Sequence, residues 1–228
     1  MQTTSFEQAQ AWALELFSEP NVAQFWIPRR NFVQAVRTQD SISFTRTDEG
    51  LYGLAIGPHP IIPAQWNRFS VFKTVPKALT ETCTLTGQWA AYARTTEPGT
   101  NSPDIRQLTD EVWIKGFLET HAPESSVLPG NPEIREWVGI AHEDEVVAIA
   151  AITEWESGEC MISSVGTAAP FRGQGFAKKL MNAVIHRAFN LGYSRLGLAV
   201  MSKNLPARAV YEAVGFVEMG DFRYFERD

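Results

Sequence analysis

Residues Phe171 to Ala177 read Phe-Arg-Gly-Gln-Gly-Phe-Ala, and they join a run with strand character to a run with helical spacing. The run before them, Glu159 to Thr167, reads as a core β-strand. The run after them keeps Ala177, Leu180, Met181, Val184, Ile185 and Ala188 on one stripe, as an amphipathic helix does. A strand feeding a helix through glycines restricts the chain to an α/β arrangement and creates a site. The first turn of a helix carries N–H groups without intrahelical partners and a partial positive charge, which favours an anion such as phosphate. Gly173 and Gly175 let backbone approach such a ligand with no Cβ in the way, and Arg172 adds a permanent fork of donors.

Two familiar phosphate signatures do not fit. A P-loop needs Lys and then Ser or Thr after its last glycine, where this chain has Phe176 and Ala177. A dinucleotide fingerprint needs a third glycine where Lys178 stands. What remains is Arg-x-x-Gly-x-Ala, carried by Arg172, Gly175 and Ala177. In this the chain resembles the GNAT N-acetyltransferase superfamily. About 30 residues downstream, Asn204-Leu205-Pro206-Ala207-Arg208-Ala209-Val210-Tyr211-Glu212-Ala213-Val214-Gly215-Phe216 resembles the family's second signature, an Asn, an Ala and a Tyr closing on Gly-Phe.

The resemblance covers roughly residues 103–228 and implies a mixed α/β fold of the acyl-CoA N-acyltransferase type there. It implies acetyl-coenzyme A as cosubstrate and a primary amine, of a small molecule or a protein, as acceptor. It places the pyrophosphate on Arg172, Gly173, Gln174, Gly175, Phe176, Ala177 and Lys178. The pantetheine arm falls along Val165, Gly166 and Thr167, and Asn204 near the pantetheine or the adenosine. Tyr211 is expected to protonate the departing thiolate as general acid. For the base the resemblance points to a Glu on or near the central strands. Glu154 is the expectation, with Glu136 and Glu159 as rivals and Ser163 or Ser164 as residues that orient a water instead. A glycine inside a strand, as at Gly166, marks a bulge or a close backbone approach.

Turn formers crowd Thr95 to Pro103, which sets the expected boundary between residues 1–102 and 103–228. Beyond it the patterns give a short strand over 104–109 and a helix from Asp110 with Val112, Ile114, Phe117, Leu118 and His121 facing inward. Strands follow over Glu136–Ala141, Val146–Thr153 and Glu159–Thr167, then the helix after the glycine loop. A strand over Ser194–Val200, the Tyr211 helix and two closing strands near Phe216–Glu218 and Phe222–Phe225 complete the order. In the first part, Ser5-Phe6-Glu7-Gln8 is a capping box opening a helix through Phe17, with Phe6, Ala9, Trp12, Ala13 and Leu16 inward. A helix is expected around Asn31–Arg37, a hairpin of Ser41–Thr47 and Leu51–Ile56 about Asp48-Glu49-Gly50, a strand over Arg68–Phe72, and a helix from Pro76 to Tyr92. This smaller α/β half is either a degenerate GNAT-like copy or an unrelated cap. It has no glycine between Phe72 and Pro76 and so no pyrophosphate loop of its own.

Hydrophobic content of 44% with 20% charged residues suits a globular chain with a sizeable core. A net charge of −6 without a basic run argues against nucleic acid as a partner. The longest apolar run, Val146–Ile152, is too short to span a bilayer, and the N-terminus lacks the pattern of a signal peptide. Cys83 and Cys160 in unrelated segments suit a reducing, cytoplasmic setting, and the four His form no metal-ligand cluster. The expected state is a monomer or homodimer without a metal. A non-catalytic acyl-coenzyme A sensor or partner-binding module is the alternative to an enzyme.

Overall fold

The computed structural model describes residues 1–17, 22–27, 29–47, 50–99, 104–155 and 157–227. Residues 100–103 of the expected boundary and Asp48 and Glu49 of the expected hairpin lie outside them. The chain resolves into two compact units, one of Met1–Ala91, Ala199–Asn204 and Glu218–Asp228, the other of Tyr92–Leu198 and Leu205–Val217.

In the first unit, β1 (Gln2–Thr3) leads to helix α1 (Phe6–Leu16). The Ser5 hydroxyl accepts the Gln8 N–H at 3.2 Å and so satisfies one of the orphan donors of the first turn. Helix α1 buries Phe6, Ala9 and Ala13, three to four residues apart, and α2 (Val22–Trp26) packs into the same cluster. Four strands follow: β2 (Phe32–Arg37), β3 (Ile42–Thr47), β4 (Leu51–Ile56) and β5 (Arg68–Phe72). β1, β2, β3 and β4 pair antiparallel in that order, and β4 pairs with β5 in parallel through five residues, Tyr52↔Arg68 to Ile56↔Phe72. The crossover from β4 to β5 contains no helix; Pro58, Pro60 and Pro63 interrupt it. Trp66 from that crossover is fully buried against Gly53, and its indole N–H donates to Thr45 Oγ1 at 3.0 Å.

Helix α3 (Lys77–Thr82) is short, and strand β6 (Thr84–Arg94) follows at once. The expected helix from Pro76 to Tyr92 is therefore corrected to one and a half turns and a long strand. Thr82, Thr84 and Thr86 favour extended backbone, and Cys83 between them already has φ −136° and ψ 148°. The expected helix around Asn31–Arg37 is likewise β2. Phe32, Val33 and Val36 are strand-formers, and the segment finds ladder partners on both sides.

The second unit opens with β7 (Arg106–Leu108) and α4 (Glu111–His121), whose Asp110 cap accepts the Trp113 N–H at 3.0 Å. Its buried stripe is Ile114, Phe117 and Leu118; Val112, expected inward, is 85% exposed because it sits two residues off that stripe. Strands β8 (Ile134–His142), β9 (Glu145–Glu154) and β10 (Cys160–Thr167) form an antiparallel run with β7 at its edge. A 3₁₀ turn (Ala169–Phe171), the glycine loop and α5 (Phe176–Asn190) then cross to β11 (Leu196–Met201), parallel to β10. Helix α5 buries Leu180, Met181, Val184, Ile185 and Ala188, the expected stripe. Helix α6 (Leu205–Ala213) and β12 (Val217–Glu226) end the chain. The two closing strands expected are one strand; Gly220, at φ 139°, carries the backbone between them, and Phe222–Glu226 pair antiparallel with β5 in the first unit.

Three antiparallel pairings followed by a parallel one occur in both units, β1 to β5 in the first and β7 to β11 in the second. A methyl group at Gly53 would collide with the buried Trp66 ring. Gly53→Ala is expected to cost about 1–3 kcal/mol of stability in urea unfolding, as overpacking of a closed core does.

Candidate active site

The glycine loop is shaped by its own sequence. Gly173 and Gly175 have φ of 75° and 82°, a region open to glycine, and a Cβ at either would meet no atom within 4 Å. Helix α5 has no side-chain cap, and its first backbone bond is Lys179 N–H to the Gly175 carbonyl at 3.0 Å. The N–H groups of Phe176, Ala177 and Lys178 therefore have no partner among the described residues. Three aromatic rings brace the loop: Phe171 and Phe176 meet edge-on at 5.7 Å, and each meets His142 of β8, at 5.6 and 5.4 Å. Lys178 and Lys179 are exposed beside the helix start.

Arg172 is not free in the loop. Its Nε donates to the Thr167 carbonyl at 3.1 Å, and a terminal nitrogen donates to the His121 carbonyl at 2.7 Å. The guanidinium thus ties the end of β10 to the C-terminal residue of α4, where carbonyls lack helical partners. Gln174 donates to the Pro170 carbonyl at 2.9 Å and closes the loop on itself. These two side chains shape the cradle.

Upstream, β10 is irregular where the sequence suggested it. Ser163 pairs with Ala151 and Gly166 with Ile149, so two residues of β10, Ser164 and Val165, oppose one of β9. Ser164 takes φ 50°, uncommon for a residue with a side chain, and its hydroxyl donates to the Val127 carbonyl at 2.6 Å. Gly166, the first residue paired again after the bulge, is a close approach, since a Cβ there would lie 3.3 Å from both Phe117 and Ala122. Its other neighbour, β11, pairs with β10 only at Cys160↔Leu196 and Met161↔Gly197. Among the described residues Ile162–Thr167, which include Val165, Gly166 and Thr167, have no ladder partner on that side. The bulge, the open edge and the loop form one continuous stretch of backbone. Asn204 is exposed just ahead of α6, where its N–H closes a turn on the Met201 carbonyl at 2.8 Å.

Tyr211 on α6 is 6% exposed, with its ring edge-on to Tyr92 at 6.2 Å and to Phe216 at 6.3 Å. Its hydroxyl has no hydrogen-bond partner among the described residues. Burial pushes the phenol above its ordinary pKa, and the neighbouring Tyr92 adds to the shift.

The three carboxylates considered for the base are all engaged by arginines. Glu154 accepts from Arg135 at 2.5 Å and from Tyr193 at 2.6 Å; Glu136 accepts from Arg187 at 2.5 and 2.7 Å; Glu159 accepts from Arg195 at 2.5 and 3.3 Å. Glu154 pairs in register with Cys160, seven residues from Thr167, or roughly 20 Å of strand. The fold therefore does not bring Glu154 to the glycine loop. Its hydrogen bonds from Arg135 and then Tyr193 hold its carboxyl below the usual range. His142 and Val127 were missed in the sequence because one acts by ring packing and the other by a backbone carbonyl. Among the described residues no three His, Cys, Asp or Glu come together as a metal site, and no helix is long and apolar enough to cross a membrane.

A bulged, open-edged strand thus feeds a glycine loop and an uncapped helix within one mixed sheet. The family model described as Acetyltransferase (GNAT) family matches residues 102–216, half of the chain, and the chain belongs to that family. It is 33% identical over 90 residues to the uncharacterised N-acetyltransferase YycN of Bacillus subtilis, covering 38% of this chain and 58% of the relative. It is 34% identical over 74 residues to the [ribosomal protein bS18]-alanine N-acetyltransferase of Haemophilus ducreyi, covering 32% of this chain and 50% of that protein. The matches thus span little more than half of these relatives' lengths. An acetyltransferase from the GNAT family of Colwellia psychrerythraea shares the fold with a TM-score of 0.61 at 14% identity, over 100% of this chain and 99% of that one.

The ionised Glu154 stabilises the fold above its unfolded pKa, near 4.5, and this contribution is lost as pH falls through its lower folded pKa. Glu154→Gln is expected to lower the melting temperature at pH 7, by an amount corresponding to about 1 kcal/mol. The difference from the parent protein should shrink as pH falls below the ordinary carboxylate range and the parent's Glu154 is protonated.

Proposed function

We propose that this protein transfers an acetyl group from acetyl-coenzyme A to a primary amine of a small molecule or protein, with Tyr211 as the general acid. The observation that carries it is the pairing of two features in one unit: an uncapped α5 N-terminus with open glycines ahead of it, and a buried phenol with an unpartnered hydroxyl. The cradle fits a pyrophosphate by its chemistry, because it offers backbone N–H donors and no acidic residue in the first turn. Residues 172–178 would hold the phosphates, with Arg172 and Gln174 holding the loop's shape. The unpaired edge at Val165, Gly166 and Thr167 would hydrogen-bond the pantetheine amides, and Asn204 would lie near the pantetheine or the adenosine.

Bound there, acetyl-coenzyme A supplies a thioester carbonyl at which the amine nitrogen forms its C–N bond as the C–S bond breaks. The Tyr211 hydroxyl donates its proton to the sulfur that leaves. A phenol of ordinary pKa near ~10 is protonated at pH 7, and burial makes it more so. The same burial raises the proton affinity of a thiolate beside it, which preserves the match between donor and acceptor. The amine's proton passes to solvent, ordered at the bulge by Ser163 or Ser164, and Tyr211 is reprotonated from solvent; the sum is an acetamide and a free thiol. The geometry favours this route over Glu154, whose two oxygens are already engaged.

Residues 103–228 form the N-acetyltransferase domain in this reading, and residues 1–102 a degenerate copy of it. The shared order of strand pairings supports the copy. The first unit's fully paired β4–β5 ladder and helix-free crossover leave it no cradle of its own. Two cysteines without a partner suit a cytoplasmic setting.

The test is thiol release from acetyl-coenzyme A with a panel of amines, comprising polyamines, amino acids and a peptide with N-terminal alanine. Tyr211→Phe is expected to lower kcat by at least about 100-fold, the low end for general acid catalysis, with the dissociation constant for acetyl-coenzyme A unchanged within about twofold. Equal losses in both would recast Tyr211 as a packing residue. Tight binding with no turnover on any amine would favour the sensor.

A further inference from the structure

Tyr92 lies ahead of the stretch matched by the family model, residues 102–216, in a strand that carries none of the family's motifs. Yet it belongs to the second unit, and it is fully buried there. Its hydroxyl donates to Glu212 at 2.9 Å and accepts from Arg208 Nε at 3.0 Å. Arg208, Tyr211 and Glu212 stand three and four residues apart and so share one face of α6. Tyr92 therefore meets that face at three points: two hydrogen bonds that flank Tyr211 in the helix, and an edge-on ring contact with Tyr211 itself. Two residues on, Arg94 donates to the Val214 carbonyl at 2.6 Å and lies against Gly215, just past the helix end. The end of β6 is thus a second clamp on the segment that carries the phenol.

We propose that Tyr92 is a positioning residue for Tyr211: its bonds to Arg208 and Glu212 fix the rotation of α6 and so the aim of the Tyr211 hydroxyl. This rests on the assignment of Tyr211 as general acid. A hydroxyl with no partner of its own cannot be aimed by its own hydrogen bonds. Its direction is set by the backbone and ring that bear it, and Tyr92 touches both the ring and the helix.

The experiment is a double-mutant cycle on kcat for thiol release from acetyl-coenzyme A, using the panel amine that turns over fastest, or water where none does. Acetyl-coenzyme A binding is measured alongside by calorimetry. Tyr92→Phe keeps the ring and removes the hydroxyl. It is expected to lower kcat by about 10-fold, since misplacement of a reacting group by an ångström costs up to about 100-fold. The dissociation constant should stay within about twofold. In the Tyr211→Phe background the same change should lower kcat by less than about twofold, because there is no proton left to aim. An equal loss in both backgrounds would mean that Tyr92 is structural, and would overturn the proposal while leaving Tyr211 as the acid. A Tyr211→Phe enzyme with unchanged kcat would overturn both. Should Tyr92→Phe fail to fold, Glu212→Gln, which leaves Tyr92 in place and weakens one of its bonds, carries the same comparison.

Discussion

Every buried backbone N–H and C=O needs a partner, and the second unit leaves one row of them unpaired. β10 and β11 share two register pairs and then β10 continues alone on that side among the described residues. The bulge at Ser164 and Val165 turns the strand at that point, and the Ser164 hydroxyl holds the irregular backbone to Val127. The open row runs directly into the glycine loop and the uncapped start of α5. An extended ligand with amides at one end and phosphates at the other satisfies the whole stretch at once. The candidate site is thus first a deficit of hydrogen bonds.

The first unit shows what the same order of strands does without that deficit. There the parallel ladder runs through five pairs, the crossover is a proline-broken segment in place of a helix, and Trp66 fills the space above Gly53. Glycine has opposite uses in the two units. At Gly53 its missing side chain admits a large ring and closes the core. At Gly173 and Gly175 it leaves open space beside a positive helix end.

The glycine loop, the α5 stripe and the Asn204–Phe216 segment were legible because their signals are local. The close approach at Gly166, beside the bulge, was legible for the same reason. What failed was read from weak local preference. Asn31–Arg37 and Pro76–Tyr92 contain residues that tolerate a helix, and only ladder partners far away in the chain make them strands. Glu154 was expected as the base from its place at a strand end, and what the sequence did not show is that Arg135 and Tyr193, 19 and 39 residues away, bond its oxygens. Arg172 was assigned to phosphate from its charge and motif, and the structure adds bonds from it to the carbonyls of Thr167 and His121 that spacing does not show. Spacing reveals which residues share a face; it does not reveal which polar group is already satisfied.

Neither unit is a continuous piece of chain. The first needs residues 199–204 and 218–228 from the far end, and β12 supplies β5 with its antiparallel neighbour. Synthesis runs from the N-terminus, so β5 leaves the ribosome about 150 residues before its partner in β12, since Phe72 pairs with Phe222. Contacts of such long sequence separation slow folding. Until β12 arrives, β5 is an exposed strand edge of the kind that recruits other chains. The interval in which that edge stands open to other chains is therefore set by the time needed to make and place β12.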